Sequence, residues 1–234
     1  MWIQGARYTL LLSVVAFGFI SVAAYYFFKP MPHKITYLAL GDSYTIGAHV
    51  KYDENYPNQV VAYLRSQNID VGEPVFIAHS GWTSDDLYKA VRRRNLTDTF
   101  TFVTLLIGAN NQFRGLSLDT YRQQFGELLT KAIGYVNGHT ERVFVLSVPD
   151  WSASPPAAGL NRQRISEQVA TYNSIIKEMT LGNTCQYIDI SGLLKGHADD
   201  ASYFLDDFIH PSGKGYALWA AKLAPVVSNT LKRL

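Results

Sequence analysis

Residues 35–45 read ITYLALGDSYT, and this stretch decides the fold class. A short apolar run, Ile35–Leu40, is followed at once by a glycine, an aspartate and a serine. An apolar run of this length is typical of a strand that is covered on both faces, as in a parallel sheet. Ligands of such sheets bind beyond the carboxyl ends of the strands. The stretch therefore predicts a buried strand with Ser43 at a ligand-binding edge.

Four further runs of this kind follow, with amphipathic stretches between them. They are Pro74–Ala78, Phe102–Ile107, Val143–Val148 and Cys185–Ile190. Apolar residues keep helical spacing over 118–136, 165–179 and 216–227. Strands that alternate with helices imply right-handed crossovers and helices on both faces of the sheet. We therefore expect residues 30–234 to form one α/β domain, a three-layer α/β/α sandwich around a five-stranded, mostly parallel sheet.

The charge of the chain separates a tail from a neutral body. The 234 residues carry 21 Lys+Arg and 19 Asp+Glu, a net charge of +2, and 47% of them are hydrophobic. Residues 1–29 hold two of the basic residues, Arg7 and Lys29, and no acidic one. The net charge of residues 30–234 is therefore zero. A neutral body argues against nucleic-acid binding, which needs a basic face. The aromatic content of 13% argues against disorder.

The tail predicts an export or membrane segment at residues 1–29. Residues 9–28 are uncharged over 20 positions, which as a helix would span the ~30 Å of a bilayer core. Small residues near Ala23 also fit a signal-peptidase site, but the apolar run continues past them to Phe28. We favour an uncleaved anchor over a cleaved signal peptide. Both interpretations place the body outside the cytoplasm, tethered to the membrane or released into the periplasm or medium.

The sequence predicts neither a metal site nor a cofactor site. Cys185 is the single cysteine, which excludes an internal disulfide and a multi-cysteine zinc site. The six histidines are scattered, without metal-ligand spacing, and no phosphate-binding glycine loop occurs. We therefore expect an activity that depends on protein side chains alone.

Residues able to do such chemistry follow the predicted strands. Ser43 could be a nucleophile or merely a helix cap. Gly81 could turn a backbone amide toward a ligand, and Asn110 could donate a hydrogen bond from its side chain. Taken singly, however, a glycine or an asparagine after a strand is also common in turns that have no functional role. Asp207 lies three residues before His210, close enough to bond one imidazole nitrogen and leave the other as a base. Pro after that histidine suits a first helical turn, which would put His210 at or near a helix cap.

Together these residues resemble the SGNH hydrolase family, also called GDSL esterases and lipases. The matching segments are GDSYT at 41–45, SGWT at 80–83, GANN at 108–111 and DFIHP at 207–211. The resemblance covers about 35–234 and implies a flavodoxin-like fold. It implies Ser43 as nucleophile, His210 as general base and acid, and Asp207, rather than Asp206, as the orienting carboxylate. It also implies an oxyanion hole formed by the amides of Ser43 and Gly81 with the side chain of Asn110.

One residue departs from the family pattern, because Asn111 stands where the third motif usually has aspartate. The donor Asn110 is kept, so we expect activity to survive with different support around that loop. Aromatic and polar side chains near the strand ends are expected to line the substrate cleft. These are Tyr44, Trp82, Asn111, Phe113 and Trp151.

The resemblance implies a serine esterase that acts on acyl or lysophospholipid-like carboxylic esters, with no cofactor and no metal. Two alternatives stay open. One is a carbohydrate O-deacetylase or acyltransferase on the same residues, and the other is an inactive, membrane-tethered binding protein with this fold. We expect a monomer whose partners are a small-molecule or lipid ester and, through the tail, a membrane.

Overall fold

Five strands form one sheet in the computed structural model, which describes residues 35–234. They are β1 (Tyr37–Gly41), β2 (Val75–Ala78), β3 (Phe102–Leu106), β4 (Val143–Leu146) and β5 (Gln186–Ile188). Their order across the sheet is β2-β1-β3-β4-β5, and every neighbouring pair is parallel. All five predicted runs contain a strand, and the sheet is wholly rather than mostly parallel.

Seven α-helices alternate with these strands within residues 35–234. They are α1 (Ser43–Ile46), α2 (Tyr56–Ser66), α3 (Ser84–Arg94), α4 (Ala109–Phe113), α5 (Leu118–Tyr135), α6 (Arg162–Gly182) and α7 (Gly213–Leu231). The three amphipathic stretches in the sequence correspond to α5, α6 and α7. Short 3-10 turns occupy several of the connections, among them Tyr52–Glu54 and Ala201–Tyr203.

Side chains of the strands alternate between two separate cores, one on each face of the sheet. Tyr37 and Ala39 of β1 point into the core covered by α2 and α7. Leu38 and Leu40 point into the core covered by α3, α5 and α6. All four are fully buried. Because a strand alternates its side chains with a period of two, an apolar run without interruption fills both cores at once. This arrangement is the predicted three-layer sandwich.

The strand order puts the carboxyl end of β1 at a switch point of the topology. The chain leaves β1 toward β2 on one side and then crosses to β3 on the other. The two connections therefore diverge above β1 and leave a crevice there, the place where open α/β sheets bind ligands. Ser43 follows β1 directly, so this topology alone brings it to the crevice.

The predicted N-terminal segment at 1–29 lies outside the described residues and stays a prediction. Among the helices of residues 35–234, none combines the length and apolarity that a membrane crossing needs.

Candidate active site

A sharp turn at the end of β1 presents Ser43 at the crevice. Oδ1 of Asp42 accepts a hydrogen bond from the Tyr44 amide at 3.0 Å and so caps α1, which leaves Ser43 as the first helical residue. A Cβ at Gly41 would collide with the carbonyl oxygen of Leu106 and the side chain of Thr45. Glycine is therefore required where β1 meets its neighbour, and the aspartate rather than the serine supplies the cap.

His210 joins Asp207 to Ser43 through hydrogen bonds. Its Nδ1 lies 2.6 Å from Oδ2 of Asp207, and its Nε2 lies 2.9 Å from Oγ of Ser43. The other carboxylate oxygen of Asp207 accepts from the amides of Ile209 and His210, each at 2.9 Å. These two amide bonds fold residues 207–210 into a tight turn, with Phe208 in the left-handed region at φ 54°. The turn fixes the distance between the carboxylate and the imidazole.

The charges around His210 select one tautomer of its ring. Partial burial raises the pKa of Asp207, but hydrogen bonds from the His210 ring and from the backbone amides outweigh it, and the pKa lies below its ordinary value. Asp207 is therefore a carboxylate near neutral pH and can only accept, so Nδ1 carries the proton. Nε2 is then free to accept the hydroxyl hydrogen of Ser43. This is the arrangement in which a serine hydroxyl can be deprotonated as it attacks.

Three potential donors surround the Ser43 hydroxyl. Within residues 35–234, the amide N–H groups of Ser43 and Gly81 have no backbone or side-chain acceptor. Gly81 has φ +79°, a conformation that side chains rarely adopt, and the Arg114 guanidinium donates to its carbonyl oxygen at 2.6 Å. The side-chain amide of Asn110 donates one hydrogen to the Trp82 carbonyl at 3.0 Å and keeps the second. Such free donors can stabilise a developing oxyanion.

These groups meet in a cleft of about 280 Å³. Ser43, Gly81, Asn110 and His210 line it on the reactive side. Part of the lining is aromatic: the rings of Phe113 and Trp151 lie 5.5 Å apart, and Phe113 is 63% exposed. Gln112 accepts a hydrogen bond from the Trp151 indole at 2.9 Å and so fixes that ring. The cleft therefore combines a hydrogen-bonded serine with aromatic side chains in its lining.

Residues 39–218 match the model of a single protein family, described as the GDSL-like lipase/acylhydrolase family. The chain belongs to this family. The match confirms the resemblance seen in the sequence motifs, and the protein is accordingly a carboxylic ester hydrolase of the GDSL type. No curated protein sequence matches the chain.

Several solved structures share the fold of this GDSL-like hydrolase. A lipase/acylhydrolase from Enterococcus faecalis superposes with a TM-score of 0.67 at 17% identity, over 83% of this chain and 96% of its own. The esterase EstA from Pseudoalteromonas sp. gives 0.65 at 17% identity, over 84% and 98%. A variant of Axe2, an acetyl xylan esterase from Geobacillus stearothermophilus, gives 0.66 at 17%, over 84% and 96%. At this identity the likeness shows the shared fold.

Two residues predicted for the cleft of this GDSL-like hydrolase lie elsewhere. Asn111 is buried beneath it, where its side-chain oxygen accepts from the Ser84 amide at 2.9 Å and its nitrogen donates to the Ser84 hydroxyl at 2.8 Å. Neighbouring residues of a helix point about 100° apart, so Asn110 and Asn111 cannot both face the cleft. The Trp82 ring packs on the core beside His79, 5.5 Å away, and only its carbonyl reaches Asn110.

Asn111 holds the start of α3 in place of the family's usual aspartate. The Ser84 hydroxyl accepts a hydrogen bond from the side-chain nitrogen of Asn111 and donates one to the side chain of Gln124 at 2.6 Å. An aspartate could accept from Ser84 but could not donate to it. The support around the third motif therefore differs from the usual pattern, as expected, while Asn110 keeps its place in the cleft.

The last helix begins later than the sequence indicated. Ser212 is the N-cap of α7, and its hydroxyl accepts from the Gly215 amide at 3.3 Å. Pro211 precedes the helix and pairs instead with Phe204 in an isolated antiparallel bridge. Placing Pro211 at the first helical position was therefore wrong, whereas His210 lies two residues before the N-cap and so near it, as expected. The serine side chain can accept from the helix amides, whereas proline has no group to do so.

Two residues of the site were not found from the sequence. His49 lines the cleft, and Arg114 holds the Gly81 carbonyl. Arg114 lies four residues after Asn110, one helical turn, and that spacing was a usable signal. His49 lies in an irregular loop, where no periodicity indicates a direction. Within residues 35–234, no three His, Cys, Asp or Glu side chains cluster closely enough to hold a metal ion.

Proposed function

We propose that the protein is a serine esterase that hydrolyses carboxylic esters through an acyl-enzyme on Ser43. The single observation that carries the proposal is the continuous hydrogen-bond chain from Asp207 through His210 to the Ser43 hydroxyl, at 2.6 and 2.9 Å. In this proposal Asp207 orients the ring and stabilises the imidazolium, and His210 moves the proton.

Acylation begins when the Ser43 oxygen attacks the ester carbonyl carbon. A bond forms between Oγ and that carbon while the hydroxyl proton passes to Nε2 of His210. The carbonyl oxygen becomes an oxyanion, which the amides of Ser43 and Gly81 and the side chain of Asn110 stabilise. The bond to the alcohol oxygen then breaks, its electron pair leaves with that oxygen, and His210 returns the proton to it.

Deacylation repeats these steps with water. His210 takes a proton from the water molecule as its oxygen attacks the acyl carbon, and the same three donors stabilise the second oxyanion. When the bond to the Ser43 oxygen breaks, that oxygen recovers the proton from His210. The products are a carboxylic acid and the free enzyme, and no metal or cofactor takes part.

The aromatic side chains of the cleft support an apolar acyl group as the substrate's acid part. Phe113 and Trp151 offer an apolar surface in the same cleft, which suits the acyl chain of a lipid or lysophospholipid-like ester. The predicted N-terminal membrane segment would keep the enzyme near such esters, with the hydrolase domain outside the cytoplasm.

A carbohydrate O-deacetylase on the same residues is the second candidate. Exposed aromatic rings also stack on sugar rings, and one of the similar folds belongs to an acetyl xylan esterase. Release of acetate from an acetylated glycan, without hydrolysis of longer acyl esters, would favour this function over the lipid esterase.

A chain-length series tests the proposal. The purified full-length protein is assayed on p-nitrophenyl esters from acetate to long acyl chains and labelled with a fluorophosphonate probe. We expect hydrolysis, together with labelling at Ser43, and we expect Ser43→Ala to abolish both. A protein that neither hydrolyses a short ester nor reacts with the probe would overturn the proposed mechanism and favour a binding role for the fold.

A further inference from the structure

The chain enters the hydrolase domain at the amino ends of the strands, on the edge of the sheet opposite the cleft. Ile35 forms a parallel bridge with Val71, and the amide of Thr36 donates to the Thr101 hydroxyl at 3.0 Å. Thr101 directly precedes β3, so the entry point lies beside the start of that strand. Because all strands are parallel and the helices return between them, the carboxyl ends of the long helices lie at this same edge. We call it the entry edge and the other the cleft edge.

The charges of the domain are separated between these two edges. Twelve acidic and six basic residues occupy the cleft-edge connections, at 42–58, 79–88, 107–121, 147–166 and 189–216. Seven basic and four acidic residues occupy the entry-edge segments, at 63–74, 91–101, 132–142, 179–185 and 228–234. A domain with a net charge near zero therefore has an acidic edge around the cleft and a basic edge where the chain enters.

Three consecutive arginines at the end of α3 form the centre of the basic edge. Arg92, Arg93 and Arg94 are exposed, and within residues 35–234 none of them forms an ion pair with a carboxylate. Arg92 and the exposed Lys131 of α5 line one depression at this edge, together with a single acidic residue, Asp98. One cation is enough to complement the end of a helix. The excess of cations here forms a surface suited to an anionic partner.

The end of α7 adds two further cations to this edge. Lys232 and Arg233 are exposed, and among the described residues neither is ion-paired. Helix α7 contacts the turn that leads into β4, which places its end at the entry edge. By contrast, Arg65 and Arg142 each pair with a glutamate, at 2.8 and 3.5 Å. The unpaired cations of α3, α5 and α7 are therefore the ones available to a partner.

A short link joins this edge to the predicted membrane segment. The uncharged stretch of the tail ends at Phe28, and residues 29–34 connect it to Ile35. Six fully extended residues span at most about 22 Å. A tail that crosses a bilayer would therefore hold the entry edge within this distance of the lipid head groups, and the surface nearest to them is the basic one.

We propose that the entry edge docks on the head groups of anionic phospholipids. Guanidinium groups bind phosphate oxygens in pairs, and an anionic lipid surface attracts lysine and arginine side chains near it. The contact is reversible and orients the domain, while the tail keeps the protein at the membrane. The cleft then opens at least one strand length, ~17 Å for the five residues of β1, farther from the lipid. Esters reach Ser43 from the aqueous phase.

Fluorophores on two introduced cysteines test the docking. Thr97→Cys lies beside the basic cluster and Gln163→Cys in the first turn of α6 at the cleft edge; both positions are exposed, and the native Cys185 is buried. Each labelled full-length protein is reconstituted into vesicles that contain a head-group quencher. The vesicles are made of phosphatidylcholine alone, or of equal parts phosphatidylcholine and phosphatidylglycerol.

Docking should quench only the probe at the entry edge. We expect the Thr97→Cys fluorophore to be quenched about twofold more in the mixed vesicles, and the Gln163→Cys fluorophore to be quenched equally in both. Salt at ~1 M, which shortens the Debye length to ~3 Å, should remove the difference.

Arg92→Gln/Arg93→Gln/Arg94→Gln should lose the docking. We expect the docking equilibrium to shift about 100-fold toward the free state, since each arginine near an anionic surface contributes about fivefold. An unchanged Tm shows that this variant is folded. If it does not fold, Lys232→Gln/Arg233→Gln replaces it, with an expected shift of about 25-fold.

A matched control removes as many charges from the other edge. Lys51→Gln/Arg162→Gln/Arg164→Gln changes three exposed cations of the cleft edge and should leave the quenching difference as large as in the wild type. A loss of the difference in this control would mean that net charge, rather than the entry edge, governs the contact, and would overturn the proposal.

Other outcomes would also overturn the docking. Equal quenching of the Thr97→Cys fluorophore in the two lipid mixtures would show that the tail alone positions the domain. A full difference that persists in ~1 M salt, or in the triple arginine variant, would show that the arginines do not bind the lipid. Self-quenching that rises with the number of protein molecules per phosphatidylcholine vesicle would show that a second copy of this chain covers the entry edge.

Discussion

Asn110 and Asn111 are neighbours in the sequence but lie in different environments. Asn110 lines the cleft with a free amide hydrogen, whereas Asn111 is 2% exposed and has both side-chain atoms bonded to Ser84. Adjacent residues of α4 point in different directions, so one can face the substrate and the other the interior. This pair allows activity and stability to be tested separately.

Asn110→Ala should lower kcat about 10²–10³-fold with little change in KM, because the lost donor acts mainly on the transition state. Steady-state kinetics on a short p-nitrophenyl ester measure this. Asn229→Ala, at an exposed position of α7, is the control and should leave both constants unchanged. A KM increase as large as the kcat loss would instead mean that Asn110 binds the ground state.

Asn111→Ala should lower the free energy of unfolding by about 1–3 kcal/mol, because the buried Ser84 amide is left without its acceptor. Urea denaturation measures the loss. The activity of the folded protein should stay within a few-fold of the wild type. A 10²-fold loss of kcat at unchanged stability would place Asn111 in the reaction after all.

Asp42 makes stability depend on pH. Burial raises the pKa of its carboxyl from 3.8 to about 7, and its second oxygen has no partner within residues 35–234. The folded protein therefore holds this proton more tightly than the unfolded chain does, and stability falls as pH rises from about 4 to about 7. Asp42→Asn keeps an acceptor for the Tyr44 amide and cannot ionise.

We therefore expect Asp42→Asn to gain about 2–3 kcal/mol of stability relative to the wild type on going from pH 5 to pH 8, because part of the wild-type loss already occurs between pH 4 and pH 5. Urea denaturation of both proteins at the two pH values measures the difference. Contributions from the other acidic groups cancel in this comparison. A constant offset between the two proteins across this range would show that Asp42 is ionised throughout.

At the scale of elements, the loop after β2 and the end of α4 depend on each other. Arg114, which follows α4, donates to the Gly81 carbonyl at 2.6 Å, and Asn110 of α4 donates to the Trp82 carbonyl. Both bonds fix the peptide planes around Gly81, whose free N–H faces the cleft. Neither segment makes these bonds with its own neighbours, so the geometry exists only when β2 and β3 are paired on either side of β1.

Arg114→Met should lower kcat roughly tenfold, because the Gly81 amide loses part of its orientation. Arg114→Lys should recover part of the loss by keeping a charged donor. Arg122→Met is the control, since that guanidinium bonds Glu178 on the surface, away from the cleft. Kinetics at saturating substrate measure the effect. An unchanged kcat in Arg114→Met would show that the loop around Gly81 keeps its conformation without the bond from Arg114.

At the scale of the whole molecule, the tail and the hydrolase domain are expected to act separately. Deleting residues 1–29 should move the protein from the membrane fraction to the soluble fraction with kcat unchanged, because the cores lie within 35–234. Fractionation and kinetics check this. Sequencing the N-terminus of the full-length protein from cells decides between anchor and signal peptide. Recovery of the intact full-length protein in the soluble fraction would contradict both the membrane anchor and the cleaved signal peptide.

The layers of the fold could be predicted from local patterns. Each apolar run contains a strand because a segment buried on both faces has to be apolar throughout, and α5, α6 and α7 follow the helical spacing of their apolar residues. The shorter helices α2 and α3 were not assigned individually. The start of α7 was placed too early, since a proline and a serine both signal a helix start and the chain uses the serine.

The sequence by itself determined the fold class, the family and the residues that meet at the reactive centre. These follow from short-range chemistry, since strands, caps and the Asp-x-x-His turn are built from residues close in the chain. Only the tertiary structure decided that Asn111 and Trp82 lie outside the cleft, that Arg114 supports Gly81, and that His49 lines the cleft. Those facts depend on which side chains from distant segments share one space, and no local pattern encodes that.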